Sequence, residues 1–459
     1  MKSEKKQRQA PRTDGNRTEG NGTEGNRPGA GQSRADQSRT DREGRDREGR
    51  DRSGISRRRL LGTAGATGAA GLVVGGAGGA FGGYVARADD GAALTSVGAN
   101  AISFHGAHQA GIVDPAQAFG HLAAFDLVAG AGRKEAVALM RRWSRAAEAM
   151  TAGRTPDDDD QVALDAGPCS LTVTFGFGRS FFGKAGLGDR VPSALVTMPS
   201  FTQDAIDRAN SDGDLWIQIG ADDGLVAFHA LRVLQREAAP AAKLRWQMNG
   251  FNRTPGATAK PRTVRNLMGQ IDGTNNPKPT DKAFADQVFA SRGAGADAWM
   301  DGGSYAVVRR IRMLLDSWDQ LPTQRQEEVI GRHKASGAPL SGGTETTPVD
   351  LDKIDPDGSL AVPGDAHIRV AAAQSNGGAA MLRRGYSYHD GYDADGTPNA
   401  GLLFIAWQAD PSNGFIKVQS KLDGGDGLSR FIRHESSALF AVPGGPASGE
   451  YVGQRLLES

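Results

Sequence analysis

Residues 365–388, DAHIRVAAAQSNGGAAMLRRGYSY, together with residues 269–277, GQIDGTNNP, hold the side chains on which the interpretation of this chain depends. His367 offers an imidazole nitrogen that can bind a metal or a haem iron. Asp272 lies in a turn flanked by glycines, and the adjacent Arg383 and Arg384 supply positive charge. A metal ligand, a proton acceptor and a cation are thus present in two short segments that are far apart in the chain.

The residue types alone leave each of these roles open. Seven other histidines compete with His367, and a histidine is more often structural or solvated than a ligand. Asp followed by Gly, as at Asp272, is a common turn signal that needs no function. Neighbouring residues of a strand point to opposite faces, so only one of Arg383 and Arg384 can reach a shared pocket. The competing histidines are His105, His108, His121, His229, His333, His389 and His434.

Several segments in the same order resemble the dye-decolourising peroxidases, in particular the exported branch that includes the deferrochelatase/peroxidase of bacterial ferrous-iron uptake. The main segments are GQIDGTNNP (269–277), HIR (367–369) and MLRRGYSY (381–388). Three further segments also resemble the family, FGFGRSFF (175–182), IQIGADD (217–223) and VRRIRM (308–313). The resemblance runs from Gly111 to the C terminus.

The resemblance implies a haem b peroxidase with one haem per chain, and it assigns the site residue by residue. His367 is the implied proximal ligand of the iron, Asp272 the distal acid–base residue and Arg383 the distal arginine. Because glycine permits close approach of the backbone, the turn around Asp272 is expected to bring N–H groups beside the planar cofactor. The residues expected to contact the cofactor in this way are Gly273, Thr274 and Asn275.

The resemblance also implies the substrates, which are hydrogen peroxide and an organic electron donor such as a dye. Release of iron from haem is a further activity that it suggests. An alternative interpretation is a haem-binding iron-acquisition protein whose peroxidase activity is incidental. A homo-oligomer and partners from an iron-uptake system are left open. A nucleic-acid partner is not expected, because 54 basic residues balance 53 acidic ones.

Other side chains near the predicted site have open roles. A proximal histidine usually has an acidic partner that fixes its tautomer, and three carboxylates late in the chain are candidates. Tyr386, Tyr388 and Trp407 are interpreted as core aromatics rather than as a path for electrons. The candidate acidic partners are Asp423, Asp426 and Glu435, and the candidate contacts of a haem propionate are Arg309, Arg310, Arg312 and Arg384.

The N-terminal part of the chain is not expected to join a folded core. Residues 1–55 are charged and Gly-rich, so they cannot bury enough apolar surface to fold and are predicted to be a disordered tail. Residues 56–88 combine Arg57 and Arg58, a weakly apolar stretch and an A-x-A site ending at Ala88. This pattern predicts a twin-arginine signal, and hence a secreted or extracytoplasmic protein of the periplasm or cell envelope. The stretch is too rich in glycine to favour a membrane anchor.

The remaining residues are predicted to form two halves, 89–265 and 266–459. In the first half, strand-like patterns at 121–128, 169–177, 214–220 and 243–251 alternate with helical patterns at 133–152 and from Asp222 or Asp223 to 235. This order is β-α-β-β-α-β. The second half repeats it less clearly, with strands at 304–314, 401–408 and 438–442 and helices at 322–332 and 411–420.

The resemblance implies an α+β architecture, which agrees with these patterns. Two ferredoxin-like (βαββαβ) halves would face each other in a dimeric α/β-barrel-like fold, with haem in the C-terminal half. Cys169 is the single cysteine, so such a fold has to be stable without an internal disulfide.

Overall fold

The structure is a computed structural model that describes residues 97–156, 159–258, 262–291 and 295–458. The predicted tail (1–55) and the predicted twin-arginine signal (56–88) lie outside these residues. Within the described ranges, no helix is both long enough and apolar enough to span a bilayer.

The elements alternate along the chain. The strands are β1 (Phe119–Leu127), β2 (Thr172–Gly178), β3 (Leu215–Ala221), β4 (Ala242–Phe251), β5 (Ser304–Met313), β6 (Leu382–Arg383), β7 (Tyr386–Tyr392), β8 (Pro398–Gln408) and β9 (Ile432–Val442). The helices are α1 (Arg133–Thr151), α2 (Arg179–Lys184), α3 (Gly224–Ala238), α4 (Phe284–Val288), α5 (Leu315–Asp319), α6 (Thr323–Ile330), α7 (His367–Val370), α8 (Phe415–Asp423) and α9 (Gln454–Leu457). Short 3-10 helices span Val97–Ala99, Gly188–Arg190, Arg208–Asn210, Gly295–Met300, Ala373–Asn376 and Gly427–Phe431.

Local sequence accounts for the two long helices of the N-terminal half. In α1, Leu139, Met140, Trp143 and other buried residues recur at helical spacing and form one apolar face. In α3, the Asp223 carboxylate accepts hydrogen bonds from the N–H groups of Leu225 and Val226, at 2.8 and 3.0 Å. These N–H groups have no partner within the helix, so Asp223, one of the two caps that the sequence offered, fixes where α3 begins.

Eight of the strands close into an antiparallel barrel. The order around it is β5-β9-β2-β3-β1-β4-β7-β8, and the pairing of β8 with β5 completes the circle. The first four strands form the run β2-β3-β1-β4, and the later strands form the run β9-β5-β8-β7. The pairs β2–β9 and β4–β7 join the two runs. The short strand β6 pairs with β8.

The barrel interior is filled by aromatic and aliphatic side chains. Trp216 and Trp407 lie with ring centroids 5.9 Å apart, and Trp216 stacks on Phe440 at 5.3 Å. Tyr386 and Tyr388 are fully buried in the same cluster. This agrees with the interpretation of Tyr386, Tyr388 and Trp407 as core residues. Because side chains alternate along β5 and β8, the other face of these strands points to the helices and to the candidate site.

Several predicted element boundaries differ from those of the structure, and three of the differences have an identifiable cause. β2 begins at Thr172 rather than at 169, because Cys169 and Ser170 have positive φ angles of 47° and 55°. The helix predicted at 411–420 is α8 and starts at Phe415, because the Asp410 carboxylate holds the preceding residues in a turn. β9 begins at Ile432 rather than at 438, because the neighbouring strand β5 supplies partners for its polar residues, such as Arg310 for Glu435.

The predicted boundary between the halves lies within a small hairpin. Arg265 and Ile271 form an isolated antiparallel bridge across the predicted junction of 265 and 266. The division at this position stays a prediction.

Candidate active site

His367 is the first residue of α7, which packs against the end of α6. A side chain at Gly331 would collide with Ile368 at 2.6 Å, so the glycine permits this close approach. The Nδ1 atom of His367 lies 3.0 Å from Oδ2 of Asp426. The Asp426 side chain is only 1% exposed, and its other oxygen accepts the Leu428 N–H at 3.1 Å. The carboxylate is therefore fixed on both sides.

Asp426 is thus the acidic partner of His367 among the three candidates. Asp423 instead accepts hydrogen bonds from Thr202. Glu435 pairs with Arg310 at 3.0 Å. The sequence could not choose among the three carboxylates, because the choice depends on how the segment after α8 folds back onto α7.

The Asp426 contact defines which nitrogen of His367 is available. When the carboxylate accepts the Nδ1–H, the lone pair is on Nε2, and Nε2 has no hydrogen-bond partner among the described residues. Burial lowers the pKa of His367, but the Asp426 carboxylate outweighs this effect, so the pKa lies above its ordinary value. The His367 side chain is still 27% exposed, which leaves the ring accessible to a ligand.

Asp272 and Arg383 come together although they lie in different segments. The Arg383 Nη1 atom lies 3.5 Å from Asp272 Oδ1, and the side chains are 31% and 30% exposed. The Asp272 N–H donates to the Val264 carbonyl at 3.0 Å. Its second carboxylate oxygen lies 3.4 Å from the Asn266 side-chain amide. Asp272 therefore has a fixed backbone and a partly open carboxylate beside a guanidinium.

The turn after Asp272 is attached to the long loop that precedes α7. Gly273 has a φ of +102°, a conformation that favours glycine. The Thr274 hydroxyl donates to Oε1 of Glu345 at 3.0 Å, and Thr263 donates to the same oxygen at 2.5 Å. Asn275 is exposed. The predicted backbone contacts of Gly273, Thr274 and Asn275 with a cofactor stay a prediction.

Asp272 and Arg383 both influence the pKa of the His367 imidazole. The positive charge of Arg383 lowers the pKa of His367 and the negative charge of Asp272 raises it, each less than burial and Asp426 do. His367, Asp272 and Arg383 therefore share one electrostatic environment, although Asp272 comes from a segment far from the one that holds the other two.

Arg332 is a further cation near this group that sequence reasoning missed. Its Nη1 donates to the carbonyls of Gly337 and Glu345, at 2.7 and 2.9 Å. Burial lowers the pKa of Arg332, and the charge of Arg383 lowers it further against the effect of Glu345. Its Nε and Nη2 atoms have no hydrogen-bond partner among the described residues. The only local signal was its position after the glycine that ends α6.

The apolar cluster that α7 joins through Ile368 is incompletely covered by protein. Several large apolar side chains from α7, β8 and the segment after Asp426 pack against the buried cluster around Trp318 but are only partly buried themselves. They are Ile368, Leu402, Phe404, Leu428 and Phe431. An available imidazole nitrogen, partly covered apolar side chains and guanidinium groups fit the iron, the macrocycle and the carboxylates of a haem.

The four arginines that the sequence offered for a propionate already bind protein groups. Arg309 pairs with Asp204, and its side chain is fully buried. Arg310 and Arg312 bind carboxylates of the β7–β8 hairpin, Asp390 and Asp393, each at 2.6 Å. Arg384 donates to the carbonyls of the 114–115 segment and to the Gln117 side chain, and thus leaves Arg383 as the arginine beside Asp272.

Another group of titratable side chains lies elsewhere in the N-terminal half. His229 lies 2.6 Å from Asp159 and 3.7 Å from Asp160. The Arg236 guanidinium lies within 3.8 Å of Asp159 and 3.2 Å of Asp160, where it already compensates their charge. We assign this cluster to structural ion pairing. His105 and His108 bind different groups, Glu148 and the Gly302 carbonyl.

A closed α+β barrel that carries an imidazole–carboxylate pair beside an acid–arginine pair has the chemistry of a haem oxidoreductase. Sequence models of the Dyp-type peroxidase family match the chain, the N-terminal model at residues 109–252 and the C-terminal model at residues 263–447. The chain belongs to the Dyp-type peroxidase family. Members of this family are haem enzymes that use a peroxide and a reductant.

Individual relatives agree with this assignment. The chain is 47% identical over 364 residues to a dye-decolorizing peroxidase of Thermobifida fusca. The alignment covers 77% of this chain and 84% of the relative. It is 36% identical over 377 residues to a deferrochelatase of Yersinia pestis, with 78% and 85% covered.

Solved structures show the same fold. Ferric DtpA from Streptomyces lividans is 62% identical and superposes with a TM-score of 0.78, over 80% of this chain and all of that one. A DyP-type peroxidase from Cellulomonas bogoriensis is 40% identical with a TM-score of 0.76, over 79% of this chain and all of that one.

Proposed function

We propose that this protein is an exported haem b peroxidase with one haem per chain, bound in the C-terminal half through His367. The observation that carries the proposal is the shared environment of the His367–Asp426 pair and the Asp272–Arg383 pair. We further propose that both halves are ferredoxin-like. The strand runs β2-β3-β1-β4 and β7-β8-β5-β9 support this. In each run the strands lie in the order second, third, first and fourth, as counted along the chain within that run.

Each site residue has a defined part in the proposal. The haem, when bound, supplies the iron at which peroxide is reduced and to which the electron donor returns electrons. His367 binds the iron through Nε2, and Asp426 holds the imidazole in the required tautomer. Arg332 offers its unpaired guanidinium atoms to a propionate carboxylate.

The other two residues act on peroxide. The Asp272 carboxylate accepts the proton of the bound peroxide, for which its partly exposed position leaves room. The Arg383 guanidinium stabilises the negative charge that develops as the O–O bond breaks. The 3.5 Å separation of the two side chains allows both to reach one small substrate.

The proposed electron donor is an organic reductant, which the name of the Thermobifida fusca relative supports. The test uses the purified protein loaded with haem, to which peroxide is added with and without a dye. We expect stoichiometric haem, a spectral change with peroxide and catalytic loss of dye colour. A protein that binds haem but does not turn over peroxide would contradict the proposal.

Release of iron from haem is the second candidate function. The deferrochelatase names of relatives at 36% and 34% identity favour it. In this reaction haem is the substrate, so the test measures iron captured by a ferrous chelator together with the iron-free porphyrin. Iron release that persists in the Asp272→Asn protein while peroxide turnover falls would identify two separable activities.

The proposal places the protein outside the cytoplasm through the predicted signal at 56–88. The arginine pair Arg57 and Arg58 supports a route that exports folded proteins, which suits a protein that binds its cofactor before export. Cys169 is buried and donates through Sγ to the Ala166 carbonyl, so a disulfide is not part of the proposed mature protein.

A further inference from the structure

The side-chain amide of Asn276 binds the backbone of Arg383 at two points. Its Nδ2 donates to the Arg383 carbonyl at 2.7 Å, and its Oδ1 accepts the Arg383 N–H at 3.2 Å. The two residues are 107 positions apart in the chain. A planar amide that binds both polar groups of one residue matches what a neighbouring β-strand would offer.

Arg383 needs such a partner because β6 is paired on one side only. Its two residues, Leu382 and Arg383, lie opposite Trp407 and Ala406 of β8. The Arg384 N–H donates to the Ile405 carbonyl at 2.9 Å. Since hydrogen-bonding directions alternate along a strand, the N–H and C=O of Arg383 point away from β8. The Asn276 amide satisfies both groups on that side.

Asn276 is itself fixed to the turn that carries Asp272. Its backbone N–H donates to the Gly273 carbonyl at 3.1 Å, and Pro277 follows it directly. Proline restricts the backbone of the residue before it, which further limits the freedom of Asn276. One turn therefore carries the carboxylate of Asp272 and also holds the strand that carries Arg383.

We infer that Asn276 is a positioning residue that fixes the separation of Asp272 and Arg383. Without the amide, the two-residue strand keeps its pairing with β8 but loses its attachment to the Asp272 turn. The guanidinium can then move relative to the carboxylate, and a displacement of about 1 Å is enough to slow a reaction roughly 100-fold. The inference rests on the proposed peroxidase function.

The test compares three variants of the haem-loaded protein. Asn276→Leu keeps the volume of the side chain but removes both hydrogen bonds, and Asn276→Ala serves if the larger side chain prevents folding. Arg383→Leu is the reference for complete loss of the guanidinium. Asn252→Leu is the matched control, because the Asn252 amide binds the Gly385 carbonyl of the same segment at 3.2 Å, whereas the amide that binds the Arg383 backbone belongs to Asn276.

Two quantities are measured for each protein, the exchange rate of the Arg383 amide proton and the rate of reaction with peroxide. In Asn276→Leu we expect faster exchange at the Arg383 N–H, full haem content, and a peroxide reaction slowed about 10- to 100-fold. The rate should remain at or above that of Arg383→Leu. In Asn252→Leu we expect exchange at the Arg383 N–H and the peroxide rate within about twofold of the unaltered protein.

Each contrary outcome has a separate meaning. Unchanged exchange or an unchanged peroxide rate in Asn276→Leu overturns the positioning role. An equal loss of rate in Asn252→Leu also overturns it, because the effect would then come from general loosening of the segment. If Arg383→Leu itself reacts at the unaltered rate while Asn276→Leu still exchanges faster, the proposed role of Arg383 fails, whereas the structural attachment stands.

Discussion

His367 Nδ1 and Asp426 Oδ2 lie 3.0 Å apart, although the two residues are 59 positions apart in sequence. Asp426 also caps the 3-10 helix Gly427–Phe431 through the Leu428 N–H. The same carboxylate thus fixes a backbone element and the tautomer of the proposed iron ligand. The strength of the iron bond should therefore depend on a residue that never touches the iron.

Replacing Asp426 with Asn tests this dependence. The amide keeps the shape but loses the charge, so we expect haem to dissociate roughly 10- to 100-fold faster. Transfer of haem to an excess of a competing haem-binding protein measures the rate. Asp423→Asn is the matched control, because that half-buried carboxylate accepts hydrogen bonds from Thr202 rather than from His367. Equal rates in both variants would show that Asp426 does not support the ligand.

Replacing His367 with Ala tests the ligand itself. We expect the purified variant to lose most of its haem, because no other described histidine has an unpaired ring nitrogen beside Arg383 and Asp272. The ratio of haem absorbance to protein concentration measures the loss. His105→Ala, which removes a half-buried histidine paired with Glu148, should keep a full complement. A full complement in the His367 variant would remove the assignment.

Arg309 and Asp204 form a buried ion pair that joins the N-terminal half to β5, and Arg309 also packs over the rings of Phe201 and Phe415 at 5.4 and 5.7 Å. Asp204→Ala would remove the hydrogen-bonded carboxylate from the fully buried guanidinium and leave it only the weaker influence of Asp423. We expect the free energy of unfolding to fall by about 3–5 kcal/mol. Denaturant unfolding at equal haem loading measures it.

The control for that prediction is Arg325→Ala, which breaks an exposed pair with Glu328 on α6. Because solvent screens this pair, the change should stay below about 1 kcal/mol. Similar losses of unfolding free energy in the two variants would mean that burial of Arg309 does not increase the contribution of its ion pair to stability.

The export proposal predicts a specific sorting defect. Replacing Arg57 and Arg58 together with Lys keeps the charge but removes the pair that the twin-arginine machinery recognises. We expect the full-length protein to accumulate in the cytoplasm, folded and loaded with haem. Fractionation with immunodetection measures this distribution. Normal export of the double variant would point to another route.

Local patterns predicted those parts of the fold that depend on local interactions. The apolar face of α1 and the Asp223 cap of α3 are visible within a few residues of sequence, and both are confirmed. The start of β9 was missed because Glu435 and its polar neighbours break the alternation of a strand. Their burial becomes favourable only through distant partners such as Arg310.

The same distinction between local patterns and distant contacts applies to the candidate site. The positions of His367, Asp272 and Arg383 came from motifs, whereas the residues that hold them came only from the structure. Asp426 was one of three equal candidates, and Asn276 was one asparagine of an Asn–Asn pair. Their roles depend on contacts across 59 and 107 residues, which periodicity and spacing do not report.

The central claim is that Asp272 and Arg383 act together on peroxide, and rapid-mixing spectroscopy of Asp272→Asn and Arg383→Leu tests it most directly. Both variants should retain haem, and their reaction with peroxide should be slower by about 100-fold or more. Arg383→Leu should be affected at least as strongly, because a proton can also leave through water, whereas few other groups can stabilise the developing negative charge. If both variants react with peroxide at the unaltered rate, the account of this site is wrong.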